Sequence, residues 1–310
     1  MAGVATGKKE LYFCVDGGGT KSRGRLVDIE GNVLADAIGG PCNPSTDLEG
    51  SIASLVALWA DCCAVIGRDR KRLDDVVLAI GAAGTYIDAG RKTFLAACPP
   101  FGRFCATSDG YAALIGAGMG QPCSLLIVGT GVAGHRLYAN GLSIQRDAWG
   151  WLAGDRGSGS WIGQKALRHC LAALDGVTPR DGLSSAVLDA LGGVEGLRKG
   201  FIRDLGPQRF AALAPLVLEL ASAGDVMAQR IRARAVDHLA ALVAVISNAH
   251  SPLFAAGGLV PPLRAFISEK SGVTILKPES DALTGCWLVA SGKAPNERAL
   301  HFGETAEHVA

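Results

Sequence analysis

The sequence is short of charge and of aromatic rings, and neither sign of charge is in excess. Charged residues are 19% of the 310 positions and aromatics 6%, with thirty Lys and Arg against twenty-nine Asp and Glu. A formal charge of +1 gives no global field to attract nucleic acid or an anionic membrane surface. No stretch reaches the ~18 uncharged apolar residues of a membrane span, and the opening MAGVATGKKELYF lacks an apolar segment ahead of a cleavage-like site. The nine cysteines are odd in number and scattered, and no pair has the two-residue spacing of a zinc or redox motif. They read as small buried apolar groups in a reducing compartment. The six histidines, His135, His169, His238, His250, His301 and His308, show no metal spacing. A cytoplasmic, soluble protein is the expectation.

Glycine, by contrast, is abundant, at 42 residues near twice the ~7% of average usage. The length predicts about two domains. Leu11 to Val15 is an apolar run that ends in Asp16 and three glycines, and Arg23 to Ile29 and Val33 to Ile38 follow as further strands of a meander. From Asp47, a predicted N-cap, apolar residues recur at helical spacing. Val76 to Ile80 and Phe104 to Thr107 read as buried strands, Ala89 to Ala97 as a helix, and Gly110 to about Met119 as another. The pattern then restarts: Leu125 to Val128 runs into Gly129-Thr130-Gly131, followed by strands at 133–138 and 142–146 around Asn140-Gly141. Strand, glycine tip, strand, turn, strand thus occurs twice. The second half adds helices at about 160–173, 183–191, 208–222 and 226–248, strands at 253–256 and 273–276, and a final helix at 282–290. From Lys293 onward the tail is polar and reads as frayed. The boundary falls near residue 119, giving domains 1–118 and 119–310, with the last helix able to pack back on the first.

Three glycine clusters follow short apolar strands: Gly17-Gly18-Gly19, Gly129-Thr130-Gly131 and Gly257-Gly258. Backbone without a Cβ lets amides approach an oxyanion closely. Any one cluster is as well explained by a tight hairpin, but three at strand ends point to nucleotide phosphate. GTGVAG at 129–134 matches the dinucleotide fingerprint G-x-G-x-x-G, yet that fingerprint must open a helix, and this chain runs on into a hairpin. No G-x-x-x-x-G-K-[ST] occurs, which excludes a P-loop. Asp16 stands at the mouth of the first turn, with Thr20 and Lys21 beyond it. A carboxylate there can hold hydrated Mg²⁺, which takes only one or two protein carboxylates alongside substrate phosphates; it can equally cap the turn.

With these motifs in hand, DGGGTK at 16–21, GTG at 129–131, AGG at 256–258 and WGWLAGDRGSGSWIG at 149–163, the chain resembles the N-acetylglucosamine kinase and BadF/BadG/BcrA/BcrD ATPase family of the sugar kinase, Hsp70 and actin superfamily. The resemblance implies an α/β fold of two ribonuclease H-like (actin-like ATPase) domains, with ATP and Mg²⁺ in the cleft between them. It implies that Gly17, Gly18, Gly19, Thr20 and Lys21 from one domain and Gly129, Thr130 and Gly131 from the other hold phosphates, that Gly257 and Gly258 line the adenosine pocket, and that Asp16 serves the metal. Asp109 takes the place of the catalytic carboxylate, accepting the proton of a sugar 6-hydroxyl; the residues alone allow it to be the N-cap of the following helix. Asn43, Trp149, Gly150 and Asp155, together with Asp109, match the sugar-binding residues.

Two departures stand out. Val132 replaces the serine or threonine of GTG[ST], and Arg156 follows Asp155 where relatives often have glutamate or glutamine, so the charge beside the sugar pocket is reversed. Trp161 reads as core packing, and Arg230, Arg232 and Arg234 as a solvated helix face. The resemblance therefore implies an ATP-dependent kinase of an amino sugar, N-acetylglucosamine first and glucosamine next. An ATPase activator of the benzoyl-CoA reductase or dehydratase type is the alternative, disfavoured because no cysteine stands in a cluster motif. The expected partner is a small amino sugar, not nucleic acid or membrane, and the assembly is left open between monomer and homodimer.

Overall fold

The computed structural model describes residues 10–85 and 88–300. Ten strands occur among them: β1 (Leu11–Gly17), β2 (Ser22–Val27), β3 (Val33–Gly39), β4 (Val76–Ala82), β5 (Arg103–Ser108), β6 (Ser124–Val128), β7 (Val132–Leu137), β8 (Ser143–Asp147), β9 (Leu253–Ala256) and β10 (Ile275–Leu276). The α-helices are α1 (Leu48–Ile66), α2 (Asp88–Ala97), α3 (Asp109–Ala117), α4 (Gly159–Leu174), α5 (Gly182–Ala190), α6 (Gly193–Gly196), α7 (Pro207–Ala211), α8 (Ala214–Ser222), α9 (Val226–Ile246), α10 (Val260–Ser271) and α11 (Ala282–Ala290).

The strands form two five-stranded sheets, ordered β3-β2-β1-β4-β5 and β10-β9-β6-β7-β8. Read from its own first strand, each sheet has the same plan. β1 carries the hairpin strands β2 and β3 on one side and the parallel β4 and β5 on the other; β6 carries β7 and β8 on one side and β9 and β10 on the other. The twofold pattern in the sequence is thus a duplicated α/β topology. It also settles the GTGVAG segment, because β7 follows the glycines where a dinucleotide fold requires a helix.

Contacts divide the chain into two compact units, one of residues 1–123, 135–144 and 278–310, the other of 124–134 and 145–277. The chain therefore passes between units more than once, whereas a cut at 118/119 follows chain order alone. In the first unit, Phe13, Val15, Leu26, Leu55, Leu58 and Trp59 form the core between the sheet and α1. By length and composition α1 could cross a membrane; in this structure it buries Leu55, Leu58, Trp59, Cys62 and Cys63. Its N-cap is Asp47, whose carboxylate accepts from the Gly50 N–H. On the other face of this sheet, α11 packs on α3 with backbone nearly touching backbone. A Cβ on Gly285 would lie 1.9 Å from the Ala112 carbonyl oxygen, and one on Gly116 would lie 2.0 Å from that of Asp281. In the second unit, buried residues of α4, α8, α9 and α10 enclose Leu126, Val128, Leu253 and Ala255 of its sheet.

Among the places where the structure departs from the sequence reading are α10 and the tail, along with the expected helix 208–222, which is the two helices α7 and α8, and the expected strand 273–276, which is only β10. The segment 260–271, absent from the expected elements, is the helix α10. Its consecutive Pro261 and Pro262 sit in the first turn, where the missing N–H groups have no intrahelical partner to lose. The tail is not frayed as far as Leu300. The Tyr111 hydroxyl donates to the Pro295 carbonyl at 2.8 Å, the Leu300 N–H to Ser143 O at 2.8 Å, and Leu300 is buried with Leu142 and Ile144. His301, His308 and the rest of the tail lie outside the described residues.

The α3–α11 contact makes a prediction opposite to helix propensity. Alanine normally stabilises a helix over glycine by ~0.5–1 kcal/mol, but Gly285→Ala or Gly116→Ala must push two helices apart. Each variant is expected to lose ~1–3 kcal/mol or more, read as a lower midpoint in chemical denaturation.

Candidate functional site

Parallel pairing lines up the carboxyl ends of three strands in the first unit. Asp16 on β1 pairs with Gly81 on β4, and Gly81 with Thr107 on β5. Two strand steps of ~4.8 Å put Asp16 and Thr107 about 10 Å apart at one edge, and Asp109 opens α3 just after β5. The carboxyl ends of parallel strands are where α/β folds bind ligands.

The turn after β1 is fixed by its carbonyls. Gly17 O accepts from Ala83 N at 2.9 Å, and Gly18 O from Cys42 N at 2.9 Å, while Gly18 N donates to Lys21 O at 3.2 Å. Gly17 is wedged, since a Cβ there would meet Cys42 O at 2.9 Å and the Ala82 Cβ at 3.0 Å. Gly19 has open space on its Cβ side, and Gly19, Thr20 and Lys21 are exposed. Such a turn can present amides to an anion.

Asp16 is held by Arg23, which lies opposite it in the β1–β2 register and bonds Oδ2 from Nη2 at 2.8 Å and Nε at 3.2 Å. Arg23 Nη1 also reaches Asp281 at 3.2 Å, and Asp281 is the N-cap of α11 and a partner of Arg25 at 3.3 Å. Burial disfavours the Arg23 charge, but its two carboxylate neighbours outweigh this and raise its pKa.

Asp109 is not the N-cap of its helix. Ser108 is, its Oγ accepting from the Tyr111 N–H at 3.2 Å. Asp109, freed from that duty, remains open to water while protein atoms crowd around it. Loss of hydration pushes its carboxyl above the ordinary 3.8. The Asp16 and Glu297 charges add to the rise, and the Gly110 and Asp109 N–H groups oppose it. Beneath this turn, Glu297 accepts from Ser108 Oγ at 2.5 Å and from Ser108 N at 2.9 Å, and pairs with Arg91 at 2.9 Å; its side chain is 7% exposed. The His135 ring packs on the same turn, so close that a Cβ on Gly110 would lie 2.3 Å from Nε2. Burial pushes the His135 pKa down to about 4, so near neutral pH the ring adds no charge beside Asp109.

Asn43 follows β3 at this same edge, one residue after Cys42 binds the glycine turn. Its Oδ1 accepts from Ser45 Oγ at 2.7 Å and Ser45 N at 3.2 Å, so a ligand would meet the amide donors.

In the second unit the turn after β6 is held the same way. Gly129 O accepts from Gly159 N at 2.8 Å and Thr130 O from Ser160 N at 3.1 Å, both at the start of α4. Gly257 lies beside this turn, because β9 is parallel to β6; its φ is 110°, and a Cβ would stand 2.2 Å from Val128 O. Gly258 has open space.

Residues 147–155 form a strained loop. Asp147, Ala148 and Asp155 have φ of 58°, 60° and 53°, and Gly150 has 85°. Left-handed non-glycine residues cost free energy and persist where the surroundings hold them. The brace here is Asp155, 8% exposed. Its carboxylate lies against Gly131, where a Cβ would be 2.7 Å from Oδ2, and the Val132 and Gly150 N–H groups donate to it. Burial and the Asp147 charge raise its pKa all the same. Trp149 is 62% exposed in this loop. Trp151 packs on Phe210 with ring centroids 5.6 Å apart. Trp161 is half-buried against the core.

Each unit thus gathers its own expected residues: Asp16 to Lys21, Asn43 and Asp109 in the first, and 129–131, 149–155 and 257–258 in the second. Sequence reasoning missed Arg23, His135, Asp281 and Glu297. A signal existed for Arg23, which faces Asp16 across a hairpin, and for Asp281, which caps a helix three residues before Thr284. No His, Cys, Asp and Glu cluster of three or more could hold a metal among the described residues. All the cysteines but Cys98 and Cys105 are buried, and burial raises the thiol pKa of each, which opposes thiolate ligation of an iron–sulfur cluster.

The sequence profile described as the BadF/BadG/BcrA/BcrD ATPase family matches residues 14–289. Over 280 residues, 90% of this chain and 95% of the relative, the sequence is 24% identical to a glucosamine kinase of Vibrio cholerae. It is 28% identical to an N-acetyl-D-glucosamine kinase of Dictyostelium discoideum, covering 76% of this chain and 78% of that one. A crystal structure from Chromobacterium violaceum, described as a candidate N-acetylglucosamine kinase, superposes with a TM-score of 0.84 at 30% identity, covering 91% of this chain and 99% of the other.

The Glu297 brace is testable apart from activity. Glu297→Ala removes charge-assisted bonds to Ser108 and strands Arg91. A loss of ~2–3 kcal/mol is expected in urea denaturation, and an unchanged midpoint would show that the tail contributes nothing.

Proposed function

The chain belongs to the BadF/BadG/BcrA/BcrD ATPase family, and from that premise we infer that it is an ATP-dependent amino-sugar kinase, transferring the γ-phosphoryl group to the 6-hydroxyl of N-acetylglucosamine. The observation that carries this reading is Asp109, which opens α3 just after β5 without serving as its N-cap, on the sheet edge it shares with Asp16. Relatives named for glucosamine and for N-acetylglucosamine support an amino sugar as the acceptor.

In the proposed reaction the sugar O6 attacks the γ-phosphorus, the bond to the β-phosphate oxygen breaks, and ADP leaves. The proton on O6 passes to Asp109. A base with a raised pKa suits this step, because a stronger base draws the proton as the new bond forms, and such a group is worth ~10²–10⁴-fold. The amides of Gly19 and Thr20, and those of Thr130 and Gly131, offer hydrogen bonds to phosphate oxygens, with Lys21 adding charge and Gly257 and Gly258 leaving room for adenosine. Mg²⁺ travels with the nucleotide. Asp16 fits it as a lone carboxylate, since hydrated Mg²⁺ needs only one or two and the Arg23 bonds from Nε and Nη2 both fall on Oδ2. On the sugar side, Asn43 donates to hydroxyls, Trp149 offers a ring face, and Asp155 with Gly150 shapes the loop.

Asp109→Asn is expected to lower turnover at least ~10²-fold in a coupled ADP-release assay, with the circular dichroism unchanged; near-normal rates would remove Asp109 from the mechanism. In the parent enzyme the base must be ionised, so kcat/KM should fall as pH drops through a value above 3.8, the direction in which the Asp109 pKa is shifted. A panel of N-acetylglucosamine, glucosamine, N-acetylmannosamine and glucose identifies the acceptor. No sugar-stimulated turnover with any of them would refute the kinase reading.

A further inference from the structure

A groove of about 440 Å³ in the second unit carries four cations and no carboxylate in its lining. Helix periodicity builds it. Along α9, Met227, Arg230, Ile231, Arg234 and His238 share one face at intervals of three or four residues, and along α4, Trp161, Lys165 and His169 do the same. Arg156, just ahead of α4, completes the wall. The three α9 arginines therefore do not form one solvated face: Arg232 points elsewhere, its guanidinium 4.3 Å above the Phe266 ring.

Arg156, Lys165, Arg230 and Arg234 form no ion pair among the described residues. Of the nearby acids, Asp181 bonds His169 at the groove's rim at 2.7 Å, and Asp237 pairs with Lys270 at 2.9 Å while its charge also reaches Arg234 and His238, so the compensation is partial. Lys165 settles instead over Trp161, 5.2 Å from the ring, whose edge meets His238 at 5.2 Å. The local field registers on His238, whose pKa is lowered by burial and then by Arg156, Arg234 and Lys165, against the raising effect of Asp237. Holding four like charges around one hollow costs free energy that an anion would recover. A chain of net charge +1 gives no general reason for such a concentration.

We propose that the α4–α9 groove is a binding site for a small phosphorylated metabolite, a phosphate monoester whose dianionic head sits among Arg156, Arg230 and Arg234 and whose body lies along Trp161 and Met227. Guanidinium groups suit the head because their paired donors match phosphate oxygens. The volume lies within the ~300–1,000 Å³ of small-ligand sites, which favours a metabolite over a polymer. Arg156 follows Asp155 directly, so an occupant would lie one peptide away from the brace of the strained loop.

The test is isothermal titration of the full-length protein with N-acetylglucosamine 6-phosphate and, separately, with inorganic phosphate, at ~0.1 M salt. Wild type should bind the sugar phosphate with a dissociation constant below ~1 mM, and the Arg230→Gln/Arg234→Gln double variant should bind it at least ~10-fold more weakly, with its circular dichroism and basal turnover unchanged. Weaker binding of inorganic phosphate, lost in the same variant, would assign the head group alone. Equal affinity in wild type and variant would place the ligand on the glycine turns and overturn the proposal, as would no binding of either probe. Should the double variant fold poorly, the single variants Arg230→Gln and Arg234→Gln, each at an exposed position on α9, supply the same comparison.

Discussion

Register between parallel strands is the constraint on which the first unit's candidate site depends. β1, β4 and β5 end together because their backbone bonds align Asp16 with Gly81 and Gly81 with Thr107. A slip of one residue would turn every side chain to the other face. The core of Phe13, Val15, Leu78 and Ile80 beneath the sheet forbids that slip. The two carboxylates are therefore set by packing far larger than themselves, and neither needs the other to find its place.

Around that edge the protein uses backbone more than side chains. Both glycine turns have their carbonyls occupied by neighbouring amides, which fixes the turns and leaves N–H groups for a ligand. Close approaches recur where precision is needed, at Gly17 beside Cys42, Gly131 beside Asp155 and Gly257 beside Val128. The glycine excess of the sequence is in part the requirement of these contacts and of α3 against α11.

The fold was legible because its signals are local. An apolar strand, a glycine tip and a hairpin, met twice, predicted the duplicated sheets, and Asp47 before an amphipathic run predicted a capped helix. The candidate site was legible as geometry where an apolar strand ends in a glycine turn, as at Asp16 to Lys21. What could not be read was long-range. Ser108, the cap of α3, is itself held by Glu297, nearly 190 positions away. The polar tail gave no hint that Pro295, Glu297 and Leu300 are anchored, because their partners lie on other elements. α10 escaped because two prolines signal a break in a helix and equally its first turn. The strain at Asp147, Ala148 and Asp155 has no sequence signature at all, since none of the three is glycine.

The return of residues 278–300 to the first unit has a consequence for how the protein comes into being. On the ribosome, residues 124–277, which hold the whole of the second unit, are synthesised while the first still lacks α11, the Asp281 link to Arg23 and the Glu297 prop under Ser108. The unit that contains β1 is completed only when α11 emerges, and until then the nascent chain must keep the face of α3 that α11 covers from other partners.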